Sequence, residues 1–276
     1  MVDSTVFWVI KVLAAQTSLG MICSPALSIY RIHKKRDVGV ASVIPLPSLM
    51  ANAHGWVLYG YMERNWFPIF WVFVFGDMAA LSYMAVYWRY TTERRYVLRV
   101  LAVVAAFLLL VSAYTVVSGL GYLGQTRAQV GSTLGIICDV VAVCLYGAPM
   151  EKLFHVLKYK SAVFINVHMV IAGLSNNCAW IVYGIVTHNW YIISPNMFHM
   201  TVNSSTLVLY LVFSPKTHPL PESFHNTDAN ADEAAISIEV TPSTSLNCKK
   251  TGGEPSSPAF QSLSSPLQTL SPVTMH

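Results

Sequence analysis

Hydrophobic positions along the chain gather into seven long runs, at residues 6–29, 43–62, 67–88, 97–120, 134–153, 164–186 and 191–213. Each is close to the roughly 20 apolar residues that a helix needs to cross a hydrocarbon layer about 30 Å thick. Short polar segments separate the runs, and after residue 213 the pattern stops. It predicts an all-α integral membrane protein of seven transmembrane helices with a polar tail. The first run starts almost at the N-terminus with no basic segment before it, which argues against a cleaved signal peptide.

Composition points the same way. The chain is 54% hydrophobic and only 11% charged, where a soluble domain carries about 25% charged residues. So few charges cannot cover a water-facing surface. The net charge of +4 comes with no Lys/Arg-rich block of the kind nucleic acid requires. Cys23, Cys138, Cys144, Cys178 and Cys248 have no metal-ligand spacing and imply no disulfide framework. The first four sit in apolar runs and read as small core residues. The expected partners are membrane lipid and a small-molecule substrate. No nucleic acid, metal or cofactor is expected, and a homo-oligomer is left open.

Basic residues set a direction. Arg31, Lys34, Lys35 and Arg36 follow the first run; Arg89, Arg94, Arg95 and Arg99 follow the third; Lys152, Lys158 and Lys160 follow the fifth. The alternate loops hold only Arg64 and Arg127. This bias places the N-terminus outside or lumenal and the C-terminus in the cytosol; the plasma membrane is the expected location. Residues 215–276, rich in Ser, Thr and Pro, bury too little apolar surface to offset ordering entropy and are expected to be disordered. Pro follows Thr241, Ser257, Ser265 and Ser271 there, a pattern open to proline-directed phosphorylation. Asn203 matches a glycosylation sequon, but inside a spanning run.

Sliding the chain on itself by 124 positions reveals an internal repeat. Pro25 falls on Pro149, Lys34 on Lys158, Asn52 on Asn176 and Trp56 on Trp180. Tyr59-Gly60 falls on Tyr183-Gly184, and Asn65-Trp66 on Asn189-Trp190. The matches concentrate in rare residue types and need no gap through the second and sixth runs. The fourth run, 97–120, has no counterpart. An odd number of helices per unit would leave two directly joined units antiparallel, so one extra crossing makes them parallel. The organisation expected is two parallel three-helix bundles joined by a linker helix (3+1+3), with residues 1–96, 97–129 and 130–214 as unit, linker and unit, and a pathway along the two-fold axis.

Asn52 and Trp56 are four apart, as are Asn176 and Trp180, so each pair shares a helix face. A lone Asn could serve as interhelical glue. A repeated Asn/Trp pair facing an axis suits a passing polar solute instead. An amide offers two donors and an acceptor for hydroxyls, an indole offers a flat face for a sugar ring, and neither carries charge. Pro25, Pro45 and Pro149 lie within or at the ends of helices, where a missing N–H kinks the helix, and kinks at repeat-related positions suggest hinges. Asp77 and Asp139 lie inside spans, where a carboxylate is costly and usually functional.

With these residues in view, the chain resembles the SWEET family of sugar facilitators over residues 6–214. The matching stretches are Ser24-Pro25, Tyr30-Arg31, Lys34-Lys35, Ser42 to Pro45, Trp56 and Tyr59-Gly60. In the second half they are Ala148-Pro149, Lys158 to Ser161, Trp180, Tyr183-Gly184 and Pro195-Asn196. Ala26 and Met150 after the two prolines distinguish it from the related PQ-loop proteins. That family is itself a known case of parallel repeats. The resemblance implies a uniporter of mono- or disaccharides with a pocket at Asn52, Trp56, Asn176, Trp180 and Asn196. It implies hinges or gates at Pro25, Pro45, Pro149, Asn166, Tyr59 and Tyr183. Two positions depart from the family pattern. Phe73 stands where the family has a helix-3 asparagine, so one half lacks an amide and a ring narrows the pocket. His199 replaces a helix-7 glycine.

The alternative is a proton-coupled carrier of another small polar solute, such as an amino acid, using Asp77, Asp139 or His199; Asp77 lies one turn from Phe73 and could face the axis. A seven-helix receptor fits poorly with a long repeat and very short loops. Paired catalytic acids, a nucleophile elbow and a metal cluster are all absent from the sequence, so no enzyme is expected.

Overall fold

A computed structural model describes residues 3–218 apart from 40, 146, 164 and 216, and for 148, 149, 151 and 152 it describes the backbone alone. The four phosphorylation candidates and nearly all of the tail lie outside the described residues.

The described chain is helical, in seven crossings. The first is bent, with α1 (Ser4–Cys23) leading into α2 (Ala26–Lys35). Pro25 has no N–H to donate, and the turn before it tightens, Ser24 N–H reaching the Met21 carbonyl at 3.2 Å. The chain returns through α3 (Pro45–Met62), where Pro45 opens the helix rather than kinking it, since the first-turn N–H is unpaired in any case. A wide turn at Trp66–Phe70, in which Phe70 N–H bonds the Asn65 carbonyl at 3.0 Å, leads into α4 (Trp71–Tyr90). The linker α5 (Arg94–Gly119) crosses back. The second unit repeats the first: a bent crossing of α6 (Arg127–Leu145) and α7 (Gly147–Tyr159), then α8 (Val167–Val186), then α9 (Trp190–Val212).

The backbone carries the repeat as clearly as the sequence. The described non-glycine residues with left-handed φ are Arg36 and Lys160, at 56° and 53°, and Arg64 and His188, at 54° and 52°. Each pair is related by the same 124-residue shift, in a conformation that non-glycine residues seldom adopt. Gly60 and Gly184 likewise each let the following helix start close by: a Cβ would meet Ile69 at 3.0 Å in the first and Ile193 at 2.7 Å in the second.

Between the units, α3 packs on α6 and α8 packs on α1, the same contact made twice. The linker lies against α3 and, more lightly, α6, and its outer face is bare, Val103, Leu109 and Leu110 being at least 70% exposed. Such a surface suits lipid. Five crossings are long and apolar enough to span a membrane on composition alone; α3 and α9 fall short because they carry the amides and histidines of the interior.

Some sequence expectations change. The sixth crossing starts at Val167. The fifth starts at Arg127, not 134. Its N-terminus is a capping box in which Thr126 N–H bonds the Gln129 side chain at 2.8 Å and Gln129 N–H bonds the Thr126 hydroxyl at 3.3 Å. Cys138 is buried, but Cys23, Cys144 and Cys178 are exposed rather than core residues, because each points away from the packed face of its helix.

Candidate functional site

A cavity of about 200 Å³ lies between the two units. Asn52 and Trp56 line it from α3, Asn176 and Trp180 from α8, Phe73 from α4, and Asn196 and His199 from α9. The residues singled out as a pocket in the sequence therefore meet around one space. Its remaining walls are largely apolar, with Met21, Ile22, Leu49, Leu145 and Ile192 among them.

Polar groups around this cavity are layered. Ser18 of α1 accepts from the Trp180 indole at 2.7 Å and donates to the Asn176 carbonyl oxygen at 3.1 Å. One hydroxyl thus holds both members of the α8 pair in place. The Asn52 carbonyl oxygen has no partner in the structure, and neither does the amide nitrogen of Asn177, a further cavity residue only 2% exposed. Unpaired amide groups at a cavity wall are what a hydroxyl-bearing solute, or water, would satisfy. The Asn196 amide donates to the Ile192 carbonyl at 2.7 Å, beside Pro195, which lies inside α9.

An aromatic layer closes the cavity toward the N-terminal face. The Phe73 ring sits between two indoles, 5.9 Å from Trp56 and 6.0 Å from Trp180. Each Trp then meets a Tyr edge to face, Trp56 with Tyr59 at 5.4 Å and Trp180 with Tyr183 at 5.6 Å. Both tyrosines are 1% exposed. Beyond them the units exchange hydrogen bonds: Asn65 donates to the Tyr183 hydroxyl and Asn189 to the Tyr59 hydroxyl, both at 2.6 Å. Each bond crosses from one unit to the other.

Toward the basic face the arrangement differs. A second cavity of about 190 Å³ lies beside Pro25 and Pro45 and shares Met21, Leu49 and Leu145 with the first as walls. Asn166 stands at the N-terminus of α8, where its side chain accepts from the Met169 N–H at 3.4 Å. Pro149 lies in the first turn of α7; its side chain is outside the described residues.

The two intramembrane acids do not line the cavity. Asp77 accepts from or shares a proton with His54 Nδ1 at 2.9 Å, and His54 Nε2 meets the Ser112 hydroxyl at 2.8 Å. Asp77 therefore faces the linker helix, not the axis: from Phe73 to Asp77 the helix turns past a full circle, enough to aim the carboxylate at His54. Asp139 accepts from Ser194 at 2.7 Å, tying α6 to α9. Of the three intramembrane candidates only His199 lines the cavity, with Nε2 at 3.2 Å from the Ala142 carbonyl.

A membrane transporter is the class this arrangement defines: two parallel three-helix units, a central cavity of paired amides and indoles, and an aromatic closure toward the N-terminal face. The chain belongs to the family described as sugar efflux transporter for intercellular exchange, whose model matches residues 8–95 and 132–218. The match falls once on each unit and skips the linker. Among curated relatives it is 27% identical over 247 residues to the bidirectional sugar transporter SWEET4 of Oryza sativa subsp. indica, covering 88% of this chain and 93% of that one. It is 26% identical over 196 residues to the sugar transporter SWEET1 of Drosophila pseudoobscura pseudoobscura, covering 71% and 84%. A solved eukaryotic SWEET transporter shares the fold with a TM-score of 0.65 at 16% identity, covering 75% of this chain and 96% of that one.

Proposed function

We propose that this protein is a facilitative carrier that passes mono- or disaccharides through the central cavity by alternating access. The observation that carries the reading is the meeting of Asn52 and Trp56 with Asn176 and Trp180 around one uncharged cavity. Amides recognise hydroxyls and indoles pack on the C–H face of a ring, while no carboxylate or cationic group is offered to a charged solute. Residues 1–96 and 130–214 act as the two moving units, residues 97–129 as their linker, and Pro25, Pro45, Pro149 and Asn166 as the hinges. Tyr59 and Tyr183 form the closure at the N-terminal face. The basic loops support an orientation with that face outside and the C-terminus in the cytosol, and the plasma membrane is the membrane proposed.

The proton-coupled alternative has less support, because Asp77 and Asp139 are engaged away from the cavity. Alanine at Asn196 and at Trp180 should each abolish uptake of radiolabelled glucose, fructose or sucrose into proteoliposomes while the protein remains folded. Full uptake by both variants would remove the cavity from the transport path.

A further inference from the structure

The closure at the N-terminal face is symmetric in its Asn–Tyr bonds but not in what holds its two turns. A helix C-terminus leaves its last carbonyls without intrahelical partners. At the end of α8 the turn is closed from within the second unit: the Tyr183 carbonyl accepts both the N–H and the hydroxyl of Thr187, at 3.0 and 2.8 Å. At the end of α3 the turn's own Glu63 and Arg64 N–H groups bond the Tyr59 and Tyr61 carbonyls at 2.9 and 3.3 Å, and a further donor arrives from α6. Arg127, the first residue of α6, donates through Nε to the Met62 carbonyl at 2.6 Å and through Nη2 to the Tyr61 carbonyl, and its guanidinium lies 5.2 Å from the Tyr61 ring centre. The same turn touches α6 a second time. The Glu63 carboxylate occupies the space above Gly131 that any side chain there would fill. Position 3, the counterpart of 127, holds Asp3, which only caps its own helix through Thr5 N–H at 3.0 Å.

We infer that Arg127 is a positioning residue for transport: it clasps the α3 turn of the first unit to the second, and so biases the carrier toward the state closed at the N-terminal face. The inference rests on the alternating-access reading. If the units part at this face, the two Asn–Tyr bonds and the Arg127 clasp break together, because all three run between units. The clasp lies on one turn only, so its loss raises the open population without disturbing the turn that Thr187 caps. Linker and gate are thereby joined, since Arg127 directly follows the segment that connects α5 to α6.

Spin labels at Arg64→Cys and His188→Cys, exposed positions flanking the closure, report the distance between the turns in lipid nanodiscs without any sugar, the native exposed cysteines having been replaced. The ratio of long to short distances should rise about fivefold in Arg127→Ala, as expected for loss of ordinary net hydrogen bonding. Arg127→Lys should restore part of the short population. Gly131→Ala, which displaces Glu63 and leaves Arg127 intact, should shift the ratio the same way, and Thr187→Val should leave it unchanged. A wild-type distribution in Arg127→Ala would overturn the inference, as would an equal shift in Thr187→Val. No sugar is needed, so a negative result here is separate from a failure to transport sugar.

Discussion

Asn65 of the first unit donates to the hydroxyl of Tyr183 in the second at 2.6 Å, and the shift that relates the units carries this bond onto Asn189 and Tyr59. A single bond of this kind could be incidental packing. Its exact exchange across the axis means that each unit locks the other by the same contact. Tyr59→Phe and Tyr183→Phe should then weaken the closure alike, each by about 1 kcal/mol, the usual net contribution of one hydrogen bond. The spin-label distances above measure this, and strongly unequal effects would count against a symmetric lock.

Ser18 holds the α8 pair from one side. Removing its hydroxyl leaves the Trp180 N–H and the Asn176 oxygen without their shared partner, each freed to turn away from the cavity. Ser18→Ala should raise KM for the transported sugar about tenfold, from about 1.4 kcal/mol of lost positioning, with a loss of about 1–3 kcal/mol in stability from the unpaired indole N–H. Transport titrations on proteoliposomes check it.

Phe73 fills the space between two indoles. Phe73→Ala should enlarge the cavity and let a disaccharide compete better against a monosaccharide. It should also cost about 2–3 kcal/mol in stability, a cavity-forming loss at a half-buried site. The ratio of transport rates for the two sugar sizes, against the unfolding midpoint, separates the effects.

His54, Asp77 and Ser112 bond in sequence across α3, α4 and the linker. The prediction is a structural coupling. His54→Ala and Asp77→Ala should each destabilise the protein, and the double variant should cost clearly less than their sum, because leaving one partner buried alone is the larger penalty. Additive losses in detergent unfolding would show that the pair is not coupled.

Burial holds the Glu63 carboxyl above its ordinary value, with Arg127 opposing that shift. The clasped turn therefore binds a proton more tightly than a released, solvated one. By linkage, acidification through the carboxylate range favours the clasped state, and this bias fades as pH rises past the raised value. Spin-label distances should shorten on average as pH falls from neutrality, and Glu63→Gln should flatten that response.

The fold was legible because its signals are redundant: apolar length, alternating basic loops, and rare residues repeated in order. The cavity was legible where both units kept the same residue, as with Asn52 and Asn176, and at Asn196, Phe73 and His199 through the family resemblance. Ser18 escaped notice because its counterpart is Ala142, and Asn177 because its counterpart is Ala53; a lone small or polar residue in an apolar run looks like packing. Asn65 and Asn189 were visible as a repeated pair, but periodicity along a helix does not say which tyrosine each one meets across the axis. Asp77 illustrates the same limit. One turn from Phe73 allowed either the axis or the linker, and only the position of His54 decides.

In a uniporter a neutral sugar crosses down its own gradient, and radiolabelled sugar uptake into proteoliposomes with equal pH inside and out measures this. Saturable entry of at least one mono- or disaccharide, levelling off at the external concentration, is expected. No entry of any such sugar, or accumulation above the external concentration when a proton gradient is imposed, would rule out facilitated sugar diffusion.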